Sequence, residues 1–108
     1  MNFRADRVGK LIREELAKMI VREMEFEGAL VTITEVEVDK KLERANVDVS
    51  VIPSSAGDAA LSALVKAAGH FQHLLLKKIN IKPMPRIIFK LDHGPENAAK
   101  VEKALLKK

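Results

Sequence analysis

The apolar residues of this chain change their spacing along its length, and that change limits the fold more than any single motif. Within residues 4–24, Val8, Leu11, Ile12, Leu16, Met19 and Ile20 recur at steps of three and four, the spacing of one face of an α-helix. Asn2 can cap its start, and Gly28 breaks the chain after the charged residues 23–27. Residues 30–38 then read as a strand rich in Val, Ile and Thr. The alternation slips: Val31 and Ile33 share one phase, Val36 and Val38 the other. A bulge near Thr34 returns all four to one face. After a polar connection over residues 39–43, residues 45–51 alternate strictly, as a strand with one wet face should. The short connection predicts an antiparallel hairpin.

Helical spacing resumes over residues 59–79, with Leu61, Leu64, Ala68, Phe71, Leu75 and Ile79 on one side. The preceding loop offers Ser55, Gly57 or Asp58 as a cap. Gly69 interrupts the pattern at a cost of about 1 kcal/mol against alanine, which predicts a kink or a short turn between two helices. Asn80 and Pro83 end the helical stretch. Residues 86–92 form a third strand with Ile87, Phe89 and Leu91 on one face, and Gly94-Pro95 breaks it. Ala98, Val101 and Leu105 allow a short terminal helix over residues 98–107. The order helix, strand, strand, helix, kink, helix, strand makes a single α+β domain over residues 1–108. It has two layers: one three-stranded sheet whose apolar face the helices cover.

Catalysis finds little support. The absence of cysteine excludes a disulfide scaffold, a thiolate metal site and a cysteine nucleophile. The five isolated glycines build no phosphate-cradling loop, and no nucleophile elbow surrounds Ser50, Ser54 or Ser55. His70 and His73 lie three apart, a spacing that two metal ligands can use. Asp92 would have to complete the site from the end of the third strand, and neighbouring lysines oppose a cation. Glu14, Glu15, Glu23, Glu25 and Glu27 read as solvated helix charge. No enzymatic activity, cofactor, metal or small-molecule substrate is expected. The apolar runs are too short to span a bilayer, and residues 1–7 lack the apolar stretch of a secretion signal, so a cytoplasmic location away from membranes is expected.

The binding signal is stronger. Residues 59–91 contain no Asp or Glu but hold Lys66, Lys77, Lys78, Lys82, Arg86 and Lys90, a charge of +6; the chain totals +4, so the remainder carries −2. Such a window serves either a face that meets polyanions or a lysine-rich surface that aids solubility. Lys66, His70, His73 and Lys77 are four, three and four residues apart, one stripe opposite Leu64, Phe71 and Leu75. In the first helix Arg4, Arg7, Lys10 and Lys18 oppose the apolar side. With no Trp, no Tyr and four Phe, stacking on aromatic platforms is not the main binding mode, whereas phosphate contacts need only basic groups on one surface. Small residues at Ala67, Ala68 and Gly69 permit close approach of another backbone, either RNA's or that of the protein's own sheet.

These residues carry a resemblance to the ribosome-binding factor A family. It extends from Arg4 to about Leu106. Its segments are Arg4…Arg7-Val8 with Ile12 and Glu15-Leu16; Val31-Thr32-Ile33-Thr34…Val36-Glu37-Val38; Ala45…Val47…Val49-Ser50-Val51; Ala67-Ala68-Gly69; and Pro85…Ile87…Phe89…Asp92. The resemblance implies a type II KH-like fold in which an Ala-x-Gly kink, matched by Ala67-Ala68-Gly69, replaces the usual Gly-x-x-Gly loop. It implies a monomeric, non-enzymatic RNA-binding protein that meets 16S rRNA in free or immature small (30S) ribosomal subunits. Late subunit maturation, processing of the rRNA precursor and adaptation to cold would be its role. The expected RNA-contacting set is Arg4, Arg7, Lys10, Lys66, Ala67, Gly69, His70, His73, Lys77, Lys78, Lys82 and Arg86. Gln72 and Asn80 stand where the family often has basic residues, so two phosphate contacts are expected to be missing, with Lys66 and Lys78 compensating. Lys41 stands where an acid commonly precedes the leucine. A second reading keeps the fold but makes the chain a protein-interaction module that docks through its helical face.

Overall fold

The computed structural model describes residues 3–92; the expected cap at Asn2, the break at Gly94-Pro95 and the expected terminal helix lie outside them. Helix α1, Phe3–Glu23, buries Val8, Ile12, Leu16, Met19 and Ile20 of the expected stripe together with Ala5; Leu11, expected on that face, is exposed, because it stands at the flank of the stripe beyond the reach of the sheet. The chain turns at Gly28, whose φ of 71° is left-handed and suits a residue without Cβ.

Strands β1, Leu30–Val38, and β2, Arg44–Ile52, pair antiparallel. Their register shifts between Ile33 and Glu35, leaving Thr34 as the extra residue. The bulge sets Ile33 opposite Val49 and Val36 opposite Val47, so both halves of β1 address the core, as expected. The hairpin tip is not merely polar. Asp39 Oδ1 accepts the backbone N–H groups of Glu43 (2.7 Å) and Arg44 (3.2 Å). That holds Leu42 at a φ of 58° with its side chain buried in the core.

A single 3-10 turn over Ser54–Ala56 leads into helix α2, Gly57–Ile79. None of the expected caps acts: the N-cap is Ala56, without a side-chain bond. Contact with the sheet fixes the start instead, because a Cβ on Gly57 would stand 3.3 Å from Leu91 Cδ1. Helix α2 is one unbroken helix of 23 residues, not two helices about a short turn at Gly69. Burial of Leu64, Phe71 and Leu75 on both sides of Gly69 outweighs the modest glycine cost. Asn80 ends the helix in the left-handed conformation (φ 57°) that asparagine tolerates.

Strand β3, Arg86–Leu91, joins β2 in parallel, so the sheet order is β1-β2-β3 with β2 central. Ile87 and Phe89 face the helices, and Phe89 meets Phe71 edge-on, ring centroids 6.5 Å apart. Both helices pack on one sheet face, while Glu35, Glu37, Asp48 and Lys90 populate the other. The α+β two-layer architecture expected from the sequence is the one observed.

Candidate nucleic-acid interface

Lys66, His70, His73 and Lys77 are all exposed along α2, opposite the buried Leu64, Phe71 and Leu75, so the expected stripe exists. Lys78 shares the last helical turn with Lys77, and Lys82 is exposed in the connection to β3. Arg4, Arg7 and Lys10 are exposed on α1 away from its buried face. Because both helices pack on the same sheet face, their solvent sides point away from the sheet together. The α1 side is mixed in sign, however, with Asp6 and Glu14 exposed among its cations. The α2 side is the purer cationic surface.

Two parts of the charge reading change. First, a carboxylate reaches the stripe from another element: Glu23 Oε1, at the end of α1, lies 3.0 Å from His70 Nε2. That contact engages the histidine with an acid and draws it toward α1. Among the described residues, Lys66, Lys77, Lys78, Lys82 and Arg86 have no carboxylate at ion-pair distance. Second, the acid-free window does not form one surface. Arg86 and Lys90 alternate with the buried Ile87 and Phe89, so they leave β3 on the face opposite the helices. Lys90 stands beside Asp48 in the strand register.

A groove of about 490 Å³ links the two sides. Its helical wall is Val65, Ala68, Gly69 and Gln72; its other wall is the outer edge of β3 from Arg86 to Phe89. Of the two readings of the small-residue segment, packing against the protein's own sheet does not account for Gly69, since a Cβ there would meet no atom within 4 Å. The glycine keeps the groove wall low on the solvent side.

The two neutral departures have structural reasons. Gln72 is half-buried; its Nε2 donates to Pro85 O (2.6 Å) and its Oε1 accepts Ile87 N–H (2.8 Å). Asn80 supplies the left-handed helix end. A residue that the sequence left out is Arg44. It is exposed and is the register partner of Arg86, a neighbourhood that only strand pairing creates, since Arg44 lies outside the acid-free window.

Residues 4–105 match the protein family described as Ribosome-binding factor A. The chain is 35% identical over 108 residues to ribosome-binding factor A of Caldanaerobacter subterraneus subsp. tengcongensis, across 97% of this chain and 88% of the relative. It is 33% identical over 96 residues to that of Akkermansia muciniphila, across 89% of this chain and 77% of the relative. Its fold is similar to the crystal structure of ribosome-binding factor A from Thermus thermophilus, with a TM-score of 0.69 at 23% identity over 81% of this chain and 93% of that one. It is also similar to Thermus thermophilus coordinates fitted into a cryo-electron-microscopy map of a 30S complex, with a TM-score of 0.65 at 19% identity over 86% of this chain and 96% of that one.

Proposed function

The chain belongs to the ribosome-binding factor A family, and from that premise we propose that it is a non-enzymatic RNA-binding assembly factor of the small ribosomal subunit. It associates as a monomer in the cytoplasm with immature 30S particles and supports their late maturation, including processing of the 16S rRNA precursor and growth in the cold. A homology model of the Thermus thermophilus relative was fitted into a cryo-electron-microscopy map of a complex between 30S and ribosome-binding factor A, which supports that partner. The observation that carries the reading in this chain is the α2 surface: Lys66, Lys77 and Lys78, unpaired among the described residues, beside a groove whose wall drops at Gly69.

Lys66, Lys77, Lys78 and Lys82 contact phosphates, with Arg4, Arg7 and Lys10 extending the contact along α1. His73 adds a hydrogen-bonding ring to the stripe, while His70 must exchange Glu23 for RNA. Exposed Gly69 presents no side chain to an approaching RNA backbone, while the small Ala67, partly buried against the core, lets the helix lie close to the sheet beneath it. Phosphate contacts fix position and orientation, and the folded shape of the RNA supplies selectivity.

Sedimentation with purified small subunits tests this. Four phosphate contacts give a log–log salt slope of roughly −3. Lys66→Glu with Lys77→Glu changes only exposed side chains, so the circular dichroism spectrum is retained while co-sedimentation is lost. Unchanged pelleting of the double variant at low salt overturns the assignment. The apolar lining of the groove favours the second reading, docking on a protein. Binding of that kind survives about 0.5 M salt, whereas phosphate binding largely collapses.

A further inference from the structure

At the β3 wall of the groove, the backbone around Arg86 is held on both edges of its strand. The N–H of Arg86 donates to Glu43 O at 2.9 Å on the β2 side. On the outer side, the single amide of Gln72 spans it, bonding Pro85 O before it and Ile87 N–H after it. The first residue of β3 is therefore fixed from both edges. What it is fixed against is another cation, since Arg44 is its direct register partner on β2. Both side chains leave the same face of the sheet, because the next partners, Ala45 and Ile87, are buried on the helix side. The nearby carboxylate of Asp39 is committed to the N–H groups of Glu43 and Arg44. Two guanidinium groups on adjacent strands repel each other, and no described carboxylate pairs with either of them.

We propose that Arg44 and Arg86 form a two-arginine site for a phosphodiester of RNA, and that Gln72 is its positioning residue. A phosphate between the two guanidinium forks accepts hydrogen bonds from both and relieves their repulsion. Gln72 keeps Arg86 in register while the site is empty. A basic residue at 72 would add one mobile charge on α2; glutamine instead holds an arginine already present on β3. The site rests on the RNA-binding reading and deepens it. It carries the contact surface from the α2 stripe across the groove and onto the rim of the sheet.

The test is a double-mutant cycle, read as affinity for purified small subunits over a range of salt. Arg44→Ala with Arg86→Ala makes the log–log slope shallower by about 0.7 or more, one phosphate contact. Gln72→Ala weakens binding in the wild-type background and has little further effect in the Arg86→Ala background, because its contribution passes through that arginine. Faster exchange of the Ile87 amide proton in Gln72→Ala reports loss of the clamp without any RNA present. Additive effects of Gln72→Ala and Arg86→Ala, or an unchanged slope for the arginine pair, overturn this proposal and leave RNA binding intact. Failure of the wild-type protein to bind small subunits at low salt overturns both.

Discussion

A methyl group added at position 69 would touch nothing, yet this position in the middle of a helix holds a glycine. Replacement by alanine removes about 1 kcal/mol of helix penalty, which for a domain of this size raises Tm by about 4–8 °C. Gly69→Ala is therefore expected to melt higher and to bind small subunits more weakly, since the added methyl raises the groove wall. Calorimetry with sedimentation on the same variant checks both halves; a stabilised variant that binds as before removes Gly69 from the interface. At this scale the sequence showed the glycine but not its surroundings. Gln72 was visible only as a missing positive charge, because a side-chain clamp on β3 depends on atoms distant in the chain. Asn80 was legible as the end of the helix, but not the left-handed backbone by which it ends it. Leu42 was hidden in the same way. It lies within a charged connection, and only the turn built on Asp39 carries it into the core.

Among the elements, the bulge in β1 has the sharpest consequence. Strand side chains alternate with a period of two, so the phase slip between Ile33 and Val36 needs one extra residue, and the register puts it at Thr34. Deleting Thr34 leaves Val31, Ile33, Val36 and Val38 in a single phase. The shortened chain is expected to fold with the hairpin intact, less stable by about 1 kcal/mol for the loss of the Thr34 hydroxyl, whose single proton goes to Asp92 Oδ2 (2.7 Å) with Asp48 O as the more distant alternative acceptor (3.2 Å). Thermal unfolding with backbone amide spectra checks it, and a molten product contradicts the bulge account. The hairpin and both long helices were legible because periodicity is local. The continuity of α2 and its uncapped start were not, because packing on the sheet outweighs local propensity and replaces a cap. The edge that β3 joins, and its direction, depend on a pairing between distant segments that no local pattern encodes.

The described residues share one core, and Phe71 is fully buried where α2 meets Phe89. Phe71→Ala is expected to cost about 3–5 kcal/mol, a large share of the roughly 5–15 kcal/mol that holds a small domain folded. Loss of the cooperative urea transition near 37 °C is the expected readout, and a wild-type midpoint would show that the core closes elsewhere. The charge pattern was half legible at this scale. A helical stripe can be projected from sequence, and the one on α2 is present. A window that runs on into a strand sends alternate residues to opposite faces, which is why Arg86 and Lys90 part from the helical lysines and why Arg44 went unseen.

The amide that spans Arg86 also bears on how these molecules behave toward one another. The outer side of β3 is a sheet edge, and an unpaired edge invites a strand from a neighbouring chain to add on, the first step toward aggregates. At its leading end the carbonyl of Pro85 and the N–H of Ile87 are already taken by a side chain of the same molecule. An incoming strand finds no free place to begin pairing there, so the groove stays open to a ligand while that end of the edge is closed to self-association.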